Sequence, residues 1–308
     1  MGSRKLLVLC VCVVSFGLVA VAAAQESAET LREQQAAIDA ERGLKVPATP
    51  SPGTGNPAGI DGSQAHLFIA VDDTTVFTYV VNVGTNDFTQ LFDGTDPWGA
   101  GLIPGVNPGD AVVYFVSGTE LWRWQSGVPE LCCNLTYQGA NQAMVSAAYN
   151  SNTGRLLMTK NTTTEAVYSL AVEAGQCPAN CEMTQDIVYA SADNDFGGLA
   201  YDPVGDIIYG TNDDSSPGPA GVYEINGDGS TTLVVAYPAG ETDIDGLAYG
   251  DGKLYLVTDE PGDIYVYDVA GAAFDPPLAN PWTTSETFSA GAYGTGLIPV
   301  ELQSLTVD

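Results

Sequence analysis

From about residue 58 onward, apolar and polar positions alternate in short runs such as "HLFIAVDD", "AVVYFVSG" and "KLYLVTDE". Gly, Pro, Asn and Asp separate the runs, which is the pattern of short β-strands joined by tight turns. No amphipathic helix lies between the runs, so the sequence excludes parallel βαβ units. The pattern predicts an all-β domain over residues 58–308.

One phrase recurs within this domain. "GLAY" stands at Gly198–Tyr201 and again at Gly246–Tyr249, and Tyr149 ends a similar "SAAY". The tyrosines are about 50 residues apart, and each unit contains four strand-like runs, which is typical of β-propeller blades. We predict about five four-stranded blades, with six as the alternative if one blade is incomplete. A β-sandwich is the other fold considered, but it does not explain a repeat of this length.

The last copy of the phrase, "FSAGAYGTGLIPV" at Phe288–Val300, is followed by few further residues. A propeller must protect the edges of its first and last blades from pairing with other chains. We therefore expect the segment from Gly294 to Asp308 to supply a C-terminal strand that pairs with the first blade and closes the ring.

The repeats resemble those of secreted and periplasmic β-propellers of the NHL, YVTN and gluconolactonase-like superfamily. The resemblance depends on Gly198–Asp213 with Val222–Asn226, and on Gly246–Asp259 with Asp263–Asp268. It implies a secreted propeller. It implies no reaction, because this superfamily includes binding proteins, lactonases and scaffolds.

The segment 1–24 combines a positive start at Arg4 and Lys5 with an apolar run and small residues at Ala22 and Ala24. This is the pattern of a secretory signal peptide, with an uncleaved membrane anchor as the alternative. Residues 25–57 read as a short helical arm and a linker rich in Pro and Gly. We expect a secreted, periplasmic or cell-surface protein with no membrane span after cleavage.

Four cysteines follow the predicted cleavage site: the adjacent Cys132 and Cys133, and Cys177 and Cys181 in "CPANC". In an exported chain we expect all four to be oxidised. Adjacent residues of a strand point to opposite faces, so a bond between Cys132 and Cys133 needs a distorted turn, and a cross-link to "CPANC" is the alternative. The sequence leaves the pairing open.

The formal net charge of −29 disfavours binding to nucleic acid or anionic membranes, because neither finds enough cations on this surface. The single histidine, His66, abuts a strong strand, so we predict no histidine-based catalysis and assign no catalytic residue. The expected partner is an extracellular ligand or protein of unknown identity, and we expect a monomer.

Aspartates stand at both ends of the repeated phrase. In a propeller, loops from the fourth strand to the next blade's first strand share a face with the loops between second and third strands. We therefore expect an acidic rim, with Asp193, Asp195, Asp243 and Asp245 near the axis. The acids expected on the same face in loops after second strands are Asp72, Asp73, Asp213, Asp214, Asp259 and Glu260. Carboxylate oxygens are ligands for Ca²⁺, so the four near the axis are the candidate metal ligands, although turn formation explains aspartate at such places as well.

The sequence thus predicts an exported, non-enzymatic binding or scaffold module with an acidic rim that binds Ca²⁺. Two alternatives remain. Paired carboxylates could serve a carbohydrate-active enzyme. Trp98 and Trp282, which precede blade starts, could stack on sugars in a lectin-like propeller.

Overall fold

The computed structural model describes residues 65–160, 165–191, 194–213 and 217–297. Every regular element in these residues is a β-strand, which confirms the all-β prediction. In chain order the strands are β1 (Ala65–Val71), β2 (Tyr79–Asn82), β3 (Asp87–Gln90), β4 (Gly99–Ile103), β5 (Val112–Ser117), β6 (Glu120–Trp124), β7 (Glu130–Asn134), β8 (Thr136–Tyr137), β9 (Ala140–Asn141), β10 (Ser146–Asn150), β11 (Arg155–Thr159), β12 (Ala166–Ala171), β13 (Thr184–Val188), β14 (Leu199–Asp202), β15 (Ile207–Asn212), β16 (Gly221–Ile225), β17 (Thr231–Ala236), β18 (Gly246–Gly250), β19 (Lys253–Val257), β20 (Asp263–Asp268), β21 (Ala273–Phe274), β22 (Leu278–Ala279) and β23 (Ser289–Thr295).

The predicted signal peptide at 1–24 and the predicted arm and linker at 25–57 lie outside the described residues. Within the part of the chain that the structure describes, no helix has the length and apolar character needed to cross a membrane.

The strands form the five blades of a β-propeller. Blades 2, 3 and 4 each take four successive antiparallel strands: β4-β5-β6-β7, β10-β11-β12-β13 and β14-β15-β16-β17. Blade 5 consists of β18-β19-β20, with β21 and β22 both pairing with β20. The innermost strands β4, β10, β14, β18 and β23 contact one another in a closed ring. The predicted number of blades and their internal strand order are therefore confirmed.

Blade 1 is built from both ends of the described chain, in the order β23-β1-β2-β3. Strand β23 pairs antiparallel with β1 from Ala65↔Thr295 to Val71↔Ser289. Closure of the first blade by a C-terminal strand is thus confirmed, but the closing strand lies earlier than expected. It is the tyrosine-containing phrase itself, and only Gly294 and Thr295 of the segment expected to close the ring belong to it. Residues 298–308 lie outside the described part.

Small residues allow the blades to meet at the axis. A Cβ added to Gly99 of β4 would lie 2.3 Å from the Cα of Ser146 on β10. No Cβ fits at that separation from backbone, so the sequence must have glycine there. The apolar core lies between neighbouring blades, and Trp98 stacks on Phe288 with ring centroids 4.6 Å apart where blades 1 and 2 begin.

Two disulfides tie blade 2 to blade 3. Cys132 bonds Cys177 and Cys133 bonds Cys181, with Cα atoms 5.3 and 6.3 Å apart. The outer strand β7 carries both adjacent cysteines, and a β-bulge interrupts its pairing with β6, where Leu121 faces Cys133 and the next residue faces Leu131. A bulge places two residues opposite one, so strict alternation of faces does not apply here. Both cysteines can therefore reach the same segment of blade 3.

Candidate functional site

Two kinds of acid-bearing loop meet at one end of the innermost strands. The Oδ1 atom of Asp72, at the end of the second strand of blade 1, accepts hydrogen bonds from the backbone N–H groups of Thr287 (2.8 Å) and Phe288 (2.9 Å). Asp213, at the equivalent place in blade 4, accepts from the N–H of Ile244 at 3.2 Å. Loops that follow a second strand thus contact the loops that lead into an innermost strand.

Three aspartates converge where blades 4 and 5 meet. Asp213, Asp243 and Asp245 each offer a carboxylate oxygen within 4.8 Å of the other two, and we call them the aspartate cluster. Asp243 and Asp245 are buried and Asp213 is partly exposed. Among the residues that the structure describes, this is the one group of three or more His, Cys, Asp and Glu side chains with metal-ligand spacing.

Two of these three residues, Asp243 and Asp245, are among the four metal ligands predicted from the sequence. Of the other two candidates, Asp195 is described and does not belong to the aspartate cluster, whereas Asp193 lies outside the described residues. Sequence reasoning expected Asp213 on the same face but did not assign it to the metal site. Asp213 was missed because it belongs to blade 4, whereas Asp243 and Asp245 lead into blade 5.

Packing around the aspartate cluster leaves room for its carboxylates. Ile244 is fully buried in the apolar core between blades 4 and 5, and the carboxylates of its neighbours Asp243 and Asp245 converge with that of Asp213. Gly197 of the preceding repeat leaves the space that one carboxylate fills. A Cβ at Gly197 would lie 2.1 Å from Oδ1 of Asp245 and 3.7 Å from Oδ2 of Asp213.

A buried tyrosine borders the aspartate cluster. The Tyr237 hydroxyl donates a hydrogen bond to the carbonyl of Ile244 at 3.2 Å. Burial raises the pKa of Tyr237 well above its ordinary value, and the charges of Asp213, Asp243 and Asp245 raise it further. The phenol therefore stays protonated beside the carboxylates, and its proton is donated to the Ile244 carbonyl.

The chemistry of the cluster is that of a hard-cation site. Its side chains offer oxygen alone, which suits Ca²⁺ or Mg²⁺ better than Zn²⁺ or Cu²⁺. The basic side chains of the described residues all contact groups outside it: Arg123 contacts Glu130, Arg155 contacts Ser169, Lys160 contacts Gln142 and Lys253 contacts Asp275.

A cavity of about 100 Å³ occupies the opposite end of the central channel. We call it the channel mouth. All five innermost strands line it, and its walls include Leu102, Ala148, Tyr149, Tyr201, Tyr249 and Tyr293. These tyrosines are the last residues of the repeated phrase, so the repeat itself builds the channel mouth.

The tyrosine hydroxyls bond to turns between first and second strands. Tyr293 donates to Asp251 in the turn of the preceding blade, and Tyr249 is hydrogen-bonded to Asp202. Tyr201 donates to Asp206 of its own blade and accepts from Asn152, one blade earlier, at 2.7 Å.

The pKa of Tyr201 and of Tyr249 is raised to about 12. Burial is the largest cause, and the hydrogen-bonded carboxylate is the next. Sequence reasoning identified the tyrosines as repeated positions but did not foresee the cavity. The available signal was an acid within a few residues of Tyr201 and of Tyr249, as in "AYDPVGD".

The two tryptophans on which the lectin-like alternative depended are buried. Trp98 is fully buried, and Trp282 donates its indole N–H to the carbonyl of Thr258 at 3.0 Å. Neither indole is available for stacking on a sugar. His66 lies within β1 and is fully buried.

No protein-family model matches the chain, and no curated protein matches its sequence. Known structures do match. A chain from the crystal structure of a nidogen/laminin complex is 11% identical with a TM-score of 0.50, over 76% of this chain and 99% of that chain. TolB from Acinetobacter baumannii is 12% identical with a TM-score of 0.43, over 82% of this chain and 58% of that chain.

A protein of unknown function from Bacteroides thetaiotaomicron is also 12% identical, with a TM-score of 0.46, over 77% of this chain and 68% of that chain. At so low an identity, the match to the nidogen/laminin complex supports the propeller fold and carries no function. Membership of the NHL, YVTN and gluconolactonase-like superfamily stays a prediction.

Proposed function

We propose that this chain is an exported, non-enzymatic β-propeller that binds a partner and holds Ca²⁺ in the aspartate cluster. Of the four ligands expected from the sequence, the proposed cation site keeps Asp243 and Asp245, and it adds Asp213. The observation that carries it is the convergence of three carboxylate oxygens within 4.8 Å of one another. Like charges at such distances repel, and a divalent cation between them would replace repulsion with attraction.

The surroundings of the aspartate cluster support a built site. Gly197 leaves room for the Asp245 carboxylate, and the buried Ile244 anchors the segment that carries Asp243 and Asp245. Each carboxylate has two oxygens, and Ca²⁺ takes about six to eight oxygen ligands. Three aspartates with some water molecules can therefore complete its coordination.

The partner-binding part of the proposal is supported by the fold. A propeller exposes many loops on a rigid scaffold, which is where binding residues are commonly found. The matched chain of the nidogen/laminin complex comes from a protein assembly, and we infer a similar use of the fold here. Two disulfides are compatible with an exported location, since such bonds persist in oxidising compartments.

No specific observation favours the enzyme or lectin alternatives. The channel mouth is lined by tyrosines and small residues, and none of its described lining residues belongs to the aspartate cluster. Its volume of about 100 Å³ is below the roughly 300–1,000 Å³ of pockets that enclose drug-sized ligands. The tryptophans that could have stacked on sugars are packed inside the blades.

The test is a comparison of Ca²⁺ with NaCl at matched ionic strength. Ca²⁺ should raise the Tm more than NaCl does, and at about 100 times Kd binding would contribute roughly 2.7 kcal/mol. Direct binding is measured with Tb³⁺ as a luminescent substitute, because Tyr237 lies beside the cluster and should transfer excitation energy to the ion. Equal effects of Ca²⁺ and NaCl, with no saturable Tb³⁺ signal, would show that the aspartates hold no cation.

Two variants test the assigned residues. Asp243→Asn with Asp245→Asn should abolish the excess stabilisation by Ca²⁺. The control pair Asp93→Asn with Asp228→Asn changes the net charge equally at exposed positions and should preserve it. An equal loss in both pairs would assign the effect to overall charge.

Gly197→Ala tests the space that the Asp245 carboxylate occupies, without any change in charge. Its added Cβ would displace the carboxylate of Asp245, so the Tb³⁺ signal should weaken. Gly227→Ala is the matched control, because a Cβ there meets no atom within 4 Å.

A further inference from the structure

The channel mouth is a separate feature from the aspartate cluster, at the other end of the innermost strands, and its role is independent of the proposed cation site. Its walls combine small or aliphatic side chains with four tyrosines contributed by blades 1, 3, 4 and 5. A volume of about 100 Å³ is somewhat smaller than the ~150 Å³ of an apolar cavity that encloses a benzene molecule. The channel mouth therefore suits a small chemical group.

The electrostatics of this cavity are negative. Three of the four lining tyrosines, Tyr249, Tyr201 and Tyr293, are hydrogen-bonded to the carboxylates of Asp202, Asp206 and Asp251 respectively. Tyr201 and Tyr293 donate their hydroxyl protons to these acids, and the Tyr201 oxygen also accepts a hydrogen bond from Asn152. None of the described lining residues is lysine or arginine. A positively charged group is therefore the complementary occupant.

The apolar residues of the lining favour an organic cation over a metal ion. A metal ion requires several oxygen ligands to replace its hydration shell. Apart from Ser151, the lining residues are Ala, Gly, Leu, Pro and Tyr, which suit a cation that carries methyl or methylene groups. Aromatic rings attract such ammonium groups through their quadrupoles, most strongly when water is excluded.

We propose that the channel mouth binds an alkylammonium group, carried either by a small free amine or by a lysine side chain of a partner protein. Two exposed apolar side chains beside the cavity are suited to contact with the remainder of such a ligand. Val204 is 94% exposed and directly follows the lining residue Pro203, and Val106 is 92% exposed, two residues after the lining residue Pro104.

Choline is the probe, and 3,3-dimethylbutan-1-ol, in which carbon replaces the charged nitrogen, is its neutral control. Binding to the full disulfide-bonded protein is measured by calorimetry at constant ionic strength. Choline should bind saturably, with a Kd at least about tenfold lower than that of the alcohol. Equal affinities would overturn the assignment to a cation, and absence of saturable choline binding would mean that the cavity holds only water.

Two charge variants locate the site. Asp206→Asn with Asp251→Asn removes two carboxylates at the channel mouth but keeps an oxygen to accept from Tyr201 and Tyr293. Both aspartates have positive φ, near 55° and 51°, which asparagine tolerates well. The Kd for choline should rise about tenfold in this pair, because each lost charge removes a Coulomb attraction.

The control pair Asp93→Asn with Asp228→Asn makes the same change in net charge at exposed residues outside the lining. Its Kd for choline should stay within about twofold of the parent's value. An equal rise in both pairs would overturn the proposal, because the effect would then belong to the whole surface.

A peptide containing lysine and its acetyl-lysine counterpart distinguish the two sources of the ammonium group. Competition with choline by the lysine peptide alone would support a partner protein as the carrier. Choline binding without such competition would support a free amine.

Discussion

Removal of the two disulfides, singly and together, should reveal that they are strongly coupled. Each bond closes a loop between blades 2 and 3, with sequence separations of 45 and 48 residues. The loop-closure relation gives about 4 kcal/mol for one cross-link of this length. If the bonds were independent, both together would contribute about 8 kcal/mol.

They are not independent, because their ends are adjacent in the chain. Once Cys132 is bonded to Cys177, the second bond closes a ring of only about seven residues, worth roughly 2 kcal/mol by the same relation. Either bond alone already restrains the long loop. We therefore expect a destabilisation of about 2 kcal/mol when one bond is removed and of about 6 kcal/mol when both are removed.

The assay is chemical unfolding without reductant, followed by fluorescence of the buried tryptophans. The variants are Cys132→Ala with Cys177→Ala, Cys133→Ala with Cys181→Ala, and all four changes together. A mutant cycle removes the local effects of each substitution, including the small void at buried Cys181, and should leave a coupling of about 2 kcal/mol. Additive losses would refute the loop-closure reasoning, and two or more free thiols in the unfolded, unreduced parent would refute the pairing.

Two further predictions concern the packing of blades and the channel mouth. Gly99→Ala should lower the free energy of unfolding by about 1–3 kcal/mol or more, because its Cβ would lie 2.3 Å from the Cα of Ser146, whereas Gly227→Ala should change it little in the same denaturant titration. The folded pKa of about 12 for Tyr201 and Tyr249 exceeds the ordinary value of about 10. Over that range the unfolded chain binds fewer protons, so stability should fall between about pH 10 and 12, whereas a flat profile in pH-dependent unfolding would contradict these values.

The propeller could be predicted because most blades repeat the same local pattern of strands and turns. Tyr149, Tyr201 and Tyr249 occupy equivalent places in innermost strands, as their spacing suggested. The first blade was harder, since its innermost strand comes from the other end of the domain. Pairing of β1 with Ser289–Thr295 is a long-range event, and alternation within either segment does not identify the partner.

Disulfide connectivity could not be predicted from the sequence for a related reason. The expectation that Cys132 and Cys133 face opposite sides holds for a regular strand, but β7 has a bulge at this point. A bulge depends on how two strands are aligned, and the sequence of one strand does not report it. The pairing with Cys177 and Cys181 follows from that local irregularity.

The aspartate cluster arises from a difference between two repeats that are otherwise alike. The first copy reads "DFGGLAY" and the second reads "DIDGLAY", so Gly197 occupies the place that Asp245 has one blade later. Asp195 corresponds to Asp243 but has no second carboxylate beside it, which explains why only the second copy enters the cluster. The glycine of the first copy leaves the space that the aspartate of the second fills, with Oδ1 of Asp245 only 2.1 Å from where a Cβ would stand. Divergence between neighbouring blades can thus create one acidic cluster in a ring whose repeats, if identical, would place the same residues around the whole axis.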